Sequence, residues 1–326
     1  MRHYMTTIRI AAACLLAASS AWCAAEEPFP SKPIHFIIPY PPGGGTTVVA
    51  HLLSPKLSEL WGQPVVVDNR PGGNTIIGHE ALLRLPPDGH AFVMSSSYFL
   101  LNALLVRTLP YDSFKDFAPI TTLYNSEQVL TVSPKVPAQN LKELIALAKA
   151  QPGQLNYATV GTGGTTHLAA ELLNMMAGIK TQQVNYKGAG PALTDEIGGQ
   201  VQLSFTAPAA AINFIKSGRL RAIAISGDTR TPALPQVPTF AEAGLPGFEA
   251  TIWFGVQARA GTPKELVNRL AADLAQVVKA PDISKRMVDE ATQPYTMTPE
   301  AFAARMKSEM ATYARIIKAA NIKLEK

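Results

Sequence analysis

Cysteine is nearly absent from this chain: Cys14 and Cys23 are the only two in 326 residues. Both fall in an amino-terminal stretch that reads as a removable leader. Arg2 and Arg9 flank the start of that stretch, the apolar run from Ile10 to Ala18 follows, and small residues lead up to Ala25, the order of a charged region, a hydrophobic region and a cleavage site. Cleavage is expected after Ala25, so residues 1–25 read as a signal peptide. A chain cut there has no thiol, which excludes disulfides, thiolate catalysis and cysteine-held metal. Cys23 also allows a lipid-modified terminus, but bulky Trp22 stands where lipoprotein processing wants a small residue.

Long apolar runs are missing as well. The apolar run of the leader is too short to span a bilayer, and no later stretch approaches the roughly 18 uninterrupted apolar residues that a spanning helix requires. The expectation is an exported protein with a large core, since 47% of residues are hydrophobic. Charge is sparse, at 16%. Losing Arg2 and Arg9 leaves 27 basic against 24 acidic residues, a net charge of +3 with no basic run. That argues against nucleic acid and suits a small anionic ligand. The six histidines form no H-E-x-x-H or other ligating spacing, so no metal is expected. Repeats and low-complexity tethers are lacking too.

What is present is alternation. Ile34–Pro39, Pro64–Asn69 and the run from His90 read as strands separated by helical patterns, the signature of a parallel sheet with helices on its faces. Asn140 with Glu143 makes a capping box for a helix over Leu141–Ala150. Further strands are read around 154–160, 181–186, 201–205 and 220–226, and the tail from Thr262 is mainly helical, with a long helix over Pro299–Ala320. The fold class is α/β throughout.

Two strand-to-helix junctions are rich in glycine. In the first, Tyr40, Pro41 and Pro42 precede Gly43, Gly44, Gly45, Thr46 and Thr47. The second runs Gly161, Thr162, Gly163, Gly164, Thr165, Thr166, His167. Glycines leave backbone N–H groups open to approach, and a helix start adds the positive end of its dipole, so each junction suits an anion. A Walker loop would need Lys after the glycines, where Thr46 stands, and the dinucleotide fingerprint lacks its last glycine. No cofactor is expected. Ser95, Ser96 and Ser97 end the third strand and offer hydroxyls at the edge where α/β sheets bind ligands. His167 has two readings, a donor to a carboxylate or a brace for its loop. Trp253 and Phe254 read as core by default.

The segments "IHFIIPYPPGGGTTVVAHLL", "VVVDNRPGG", "LNYATVGTGGTTHLAAELL", "VNYKGAGPALTDEIGGQVQLSF" and "VPTFAEAGLPGFEATIWFGVQARAGTP" together resemble the tripartite tricarboxylate transporter substrate-binding receptors, the Bug or TctC-like family. The resemblance covers essentially the whole chain after the leader. It implies a periplasmic binding protein, type II-like, of two α/β lobes that close on a small carboxylate and deliver it to integral membrane permease subunits, without catalysis and as a monomer. It implies one lobe from 26–127 plus 254–326 and another from 128–253. Carried over by position, the binding set is Tyr40 with Gly43 to Thr47, Ser95 to Ser97, Gly161 to His167, and Thr206. The chain departs from the family in three places. Thr47 stands where Asp is common, Thr206 is neutral where Asp or Ser is frequent, and His79 replaces a small residue with no role that the sequence assigns. The first two favour a carboxylate lacking an amino group. Two alternatives remain at this point. One is a sensor that signals through the same closure; the other is an exported hydrolase using Ser95, Ser96 or Ser97 with His167, for which no G-x-S-x-G elbow exists.

Overall fold

The computed structural model describes residues 29–42, 45–289 and 292–322. The leader, with Cys14 and Cys23, lies outside them, as do Gly43 and Gly44. The chain builds two mixed sheets. In the first, β1 (Ile34–Ile38), β2 (Val65–Asn69) and β3 (Ala91–Ser96) pair in parallel, with β1 in the middle. The intervening helices α1 (Gly45–Trp61) and α2 (Ile76–Leu83) supply the crossovers that parallel pairing demands. Four of the five β1 residues are buried, as a strand covered on both faces requires.

Four strands that hydrophobic alternation alone did not pick out complete the architecture, three of them in this sheet. β4 (Phe117–Ser126) and β10 (Ile252–Arg259) run antiparallel to each other, and β10 is also antiparallel to β3, giving the order β11-β4-β10-β3-β1-β2 once β11 (Gln293–Pro294) is added. The second sheet has β5 (Val129–Val132), β6 (Asn156–Val160), β7 (Gln182–Tyr186), β8 (Leu203–Thr206) and β9 (Arg221–Ile225), ordered β7-β6-β8-β5-β9. Here β5 is antiparallel to both of its neighbours, while β6 is parallel to β7 and β8. The parallel pattern expected near the amino end therefore holds for β1 to β3 and gives way to mixed pairing beyond them.

Residues 127–128 carry the chain from the first sheet to the second, and 226–251 carry it back. These crossings are tied together. Gln128 N–H donates to Ser226 Oγ at 2.8 Å, Ser226 N–H returns a bond to Gln128 O at 2.9 Å, and Gln128 Nε2 donates to Ala250 O at 2.7 Å. Thr251 Oγ1 donates to Ser226 O at 2.8 Å.

The helices flank the sheets as their caps foretell. Asn140 accepts from Glu143 N–H at 3.0 Å and Glu143 accepts from Gln139 N–H at 2.7 Å, so α4 (Leu141–Ala150) begins on the expected box. The remaining helices are α3 (Ser97–Leu105), α5 (Thr165–Ala177), α6 (Ala189–Gly198), α7 (Pro208–Lys216), α8 (Lys264–Lys279), α9 (Pro281–Asp289) and α10 (Pro299–Ala319). The last of these packs against β4, α3 and α5. It thereby joins elements of both sheets into one apolar cluster that includes Ile37, Leu130, Phe205 and Phe302. Trp253 is fully buried, edge-on to Phe302 with centroids 4.9 Å apart, and its indole donates to Glu309 at 2.7 Å. Among the described residues no helix is long and apolar enough to cross a membrane.

His79 finds its explanation in this core. Fully buried on α2, it stacks on Phe99 with centroids 4.6 Å apart, beside Tyr111 and Phe117. Its Nδ1 lies 2.8 Å from Thr75 O and its Nε2 2.8 Å from Ser95 Oγ. Burial pushes its pKa down to about 4, with the Thr75 bond opposing. A lowered pKa means that the unfolded chain binds the proton first, so stability falls as pH drops from about 6.5 to about 4 and levels below. The loss should reach the order of 3 kcal/mol. Urea unfolding of wild type and His79→Gln across that window should show the variant missing this part of the acid sensitivity.

Candidate functional site

The strand ends that precede the two glycine junctions are built alike. In the first sheet Ile38, at the end of β1, registers with Asn69 of β2. Asn69 Nδ2 donates to Tyr40 O at 3.0 Å and to Thr47 Oγ1 at 2.9 Å, clamping the outgoing chain to the start of α1. In the second sheet Thr159, near the end of β6, registers with Asn185 of β7, whose Oδ1 accepts from Gly161 N–H at 2.9 Å. The sequence reading gives neither asparagine a role at the site. The signal was available, since each stands at or next to a strand end, three residues before a glycine, in "DNRPGG" and "VNYKGAG".

The second junction has fewer open donors than its glycines suggest. Val160 N–H donates to Thr166 Oγ1 at 3.2 Å, Gly163 N–H to His167 Nδ1 at 3.0 Å, and Gly164 N–H to Gly161 O at 3.3 Å. With Gly161 held by Asn185, these loop amides are occupied. The amides of Thr165, Thr166 and His167 stand in the first turn of α5, where a helix offers no carbonyl to its own N–H groups. They are the donors available to an anion. Thr162 is half-buried at the loop, and Thr165 is buried. Gly163 cannot be replaced without strain. Its φ is +76°, and a Cβ would fall 2.7 Å from Leu105 Cδ1 of α3. His167 takes the bracing role of its two readings. It is buried, desolvation lowers its pKa, and the unprotonated Nδ1 accepts the Gly163 bond.

The three serines separate by position. Ser96 Oγ lies 2.7 Å from Tyr40 Oη and caps α3 by accepting from Tyr98 N–H at 3.3 Å. Tyr40 also packs near Phe254, which stacks on Tyr124, and its burial raises the phenol pKa, so the ring stays a neutral donor. Ser95 has no exposed surface and donates to Gln257 Oε1 at 2.6 Å, beside His79. Ser97 is equally buried, 3.5 Å from Glu309. For these two the expected ligand contact gives way to a core one. On α1, Gly45 is exposed while Thr46 and Thr47 are buried.

A cavity of about 260 Å³ gathers part of the expected set. It is bordered by Thr166, Thr206, Ser126, Glu127, Val160 and Ile252, with apolar residues of α6 and α7 completing it. Its size is near the lower end of the roughly 300–1,000 Å³ of drug-sized sites, which suits a small metabolite. On the first-sheet side Tyr98 Oη, from α3, lies 3.4 Å from Thr165 Oγ1, bringing the two helix starts together. A second cavity, about 490 Å³, also borders Glu127, but Asp228, Glu249 and Glu309 line it as well, and its one cation, Arg305, is held by Glu309 at 2.9 Å. Its acidic lining opposes an anion, whereas Glu127 is the one titratable side chain lining the smaller cavity among the described residues. Among the described residues no three His, Cys, Asp or Glu side chains cluster as a metal site.

The profile of the family described as the tripartite tricarboxylate transporter family receptor, TctC, matches residues 49–322. The chain belongs to the TctC family. That family is described as one of receptors. Two relatives are similar over most of their length. One is a protein in the tcbD-tcbE intergenic region of Pseudomonas sp. strain P51, 36% identical over 89% of this chain and 87% of the relative. Another is BugT of Bordetella pertussis, 33% identical over 92% of each. Among solved structures, a periplasmic transporter is 38% identical with a TM-score of 0.70, covering 91% of this chain and 100% of its own. Rpa4515 of Rhodopseudomonas palustris with adipate is 31% identical, TM-score 0.71, covering 90% and 99%. MatC of the same organism with bound malate is 27% identical, TM-score 0.67, covering 89% and 100%. Two helix-flanked sheets thus make this TctC receptor a two-lobed α/β protein of the periplasmic binding class.

Because His167 braces its own loop, His167→Ala should lower ligand-free stability by about 1 kcal/mol, the worth of one hydrogen bond. Urea unfolding checks this. Unchanged stability with weakened ligand binding would instead put the ring on the ligand.

Proposed function

We propose that this chain is exported to the periplasm and captures a small carboxylate without an amino group. The lobes formed by 26–127 with 254–326 and by 128–253 close on the ligand, and the monomer hands it unaltered to an integral membrane permease. The observation that carries this reading is the 260 Å³ cavity at the start of α5, where the hydroxyls of Thr166 and Thr206 meet an apolar body. First-turn amides and the helix dipole favour a carboxylate at that end, each charge-assisted bond contributing roughly 1.5–3 kcal/mol before desolvation. The apolar walls favour a hydrocarbon middle. Adipate and malate, each bound by a similar protein, are dicarboxylates of this type. No carboxylate replaces Thr47 or Thr206, so a ligand ammonium finds no fixed partner at either position.

A thermal-shift screen of succinate, malate, adipate and aspartate, with and without EDTA, tests the reading. Diacids should raise Tm with no effect of the chelator, and aspartate should bind more weakly than succinate. Thr206→Val should weaken the best diacid about tenfold, corresponding to about 1.4 kcal/mol. Tighter binding of the amino acid, or a strict metal requirement, would sink it.

A further inference from the structure

One carboxyl group borders both cavities. Glu127 stands at the first crossing, between β4 and β5, half-buried, beside Ser126 and Thr206 in the smaller space and beside Asp228 and Arg305 in the larger. It lies against the return crossing, where Gly227 makes room for it: a Cβ there would collide with Glu127 Oε1 and come within 3.1 Å of Thr229 O.

The charges facing this carboxyl are mostly of its own sign. Asp228 and Glu249 come from the return crossing, Glu309 and Arg305 from α10, and Asp289 from α9 lines a third cavity that Glu127 also borders. Arg305 is engaged by Glu309 at 2.9 Å and by Asn125 Oδ1 at 3.3 Å, and Asp289 pairs with Lys285 at 2.9 Å. Among the described residues no cation pairs with Glu127; its partner is the Thr231 hydroxyl. Burial, reinforced by Asp228 and opposed by Thr231, lifts the Glu127 pKa to about 7. A ligand carboxylate arriving nearby would raise it further, since two like charges cannot both be ionised cheaply at close range.

We propose that Glu127 selects the ligand: its neutral carboxyl donates a hydrogen bond to an acceptor at the end of the ligand away from α5, so that capture of a doubly charged ligand takes one proton from solvent. The inference rests on the receptor reading above. An ammonium at that end would need the ionised form and would show the opposite pH dependence.

Isothermal titration of the wild-type protein with succinate, malate and adipate, in HEPES and in Tris near pH 8, reads the proton directly. Uptake of about 0.9 proton per ligand is expected, and affinity about tenfold weaker near pH 8 than near pH 6. Glu127→Gln, which keeps a donor and cannot titrate, should bind with flat pH dependence and no uptake. A ligand-free measurement separates the two readings. The raised pKa means that wild type loses stability relative to Glu127→Gln as pH rises from about 4.5 to about 7, then levels. If that trend appears and no diacid binds, the receptor reading fails and the selecting role with it. Should diacids bind with no proton uptake, or with release, the receptor stands and the role of Glu127 is overturned.

Discussion

Gln128 and Ser226 hold each other at the two places where the chain passes between its sheets. Their reciprocal main-chain and hydroxyl bonds, with Gln128 reaching on to Ala250, fix the neighbouring ends of β4, β5, β9 and β10. Several residues that border the 260 Å³ cavity take their places from this arrangement. Ser126 and Glu127 precede the tie, Ile252 follows it, and Thr206 registers with Val129 directly after it.

Polar groups near the cavity mostly serve the scaffold. The glycine junction before α5 resembles an open nest of amides in sequence, yet Asn185, Thr166, His167 and Gly161 accept from four of them. Glycine is needed there for close approach, with Leu105 of α3 pressed against Gly163, rather than for a ring of empty donors. Anion affinity then falls to the first turn of α5, where helix geometry leaves N–H groups unpaired whatever the loop does. This division makes physical sense, because buried amides without partners would cost more than a small ligand returns.

Much of the fold was legible because it follows local rules. Asn140 and Glu143 predicted where their helix begins, and β1, β2 and β3 were read to within a residue or so because buried parallel strands are continuous apolar runs. β4 and β10 escaped notice. Their sequences, "FAPITTLYNS" and "IWFGVQAR", interrupt the pattern with proline, glycine and buried polar side chains, and only long-range antiparallel pairing makes them strands. At the site, residue type located the junctions but not the direction of each side chain. Strand alternation sends Ser95 into the core beside His79 and leaves Ser96 against Tyr40. Glu127 had no motif at all; in the larger cavity its neighbours come from segments as far along the chain as Ser226 and Glu309.

Trp253 is the second residue of β10, just after the return crossing, sealed from water, with its indole N–H on the Glu309 carboxylate. The other tryptophan among the described residues, Trp61, bonds Asp273 on α8 and belongs to the first sheet's outer layer. Indole emission responds to a nearby negative charge, so any bending at the crossing that changes the Trp253–Glu309 distance alters the colour or yield of that one fluorophore. The chain carries a built-in optical reporter on the return crossing, readable without a label.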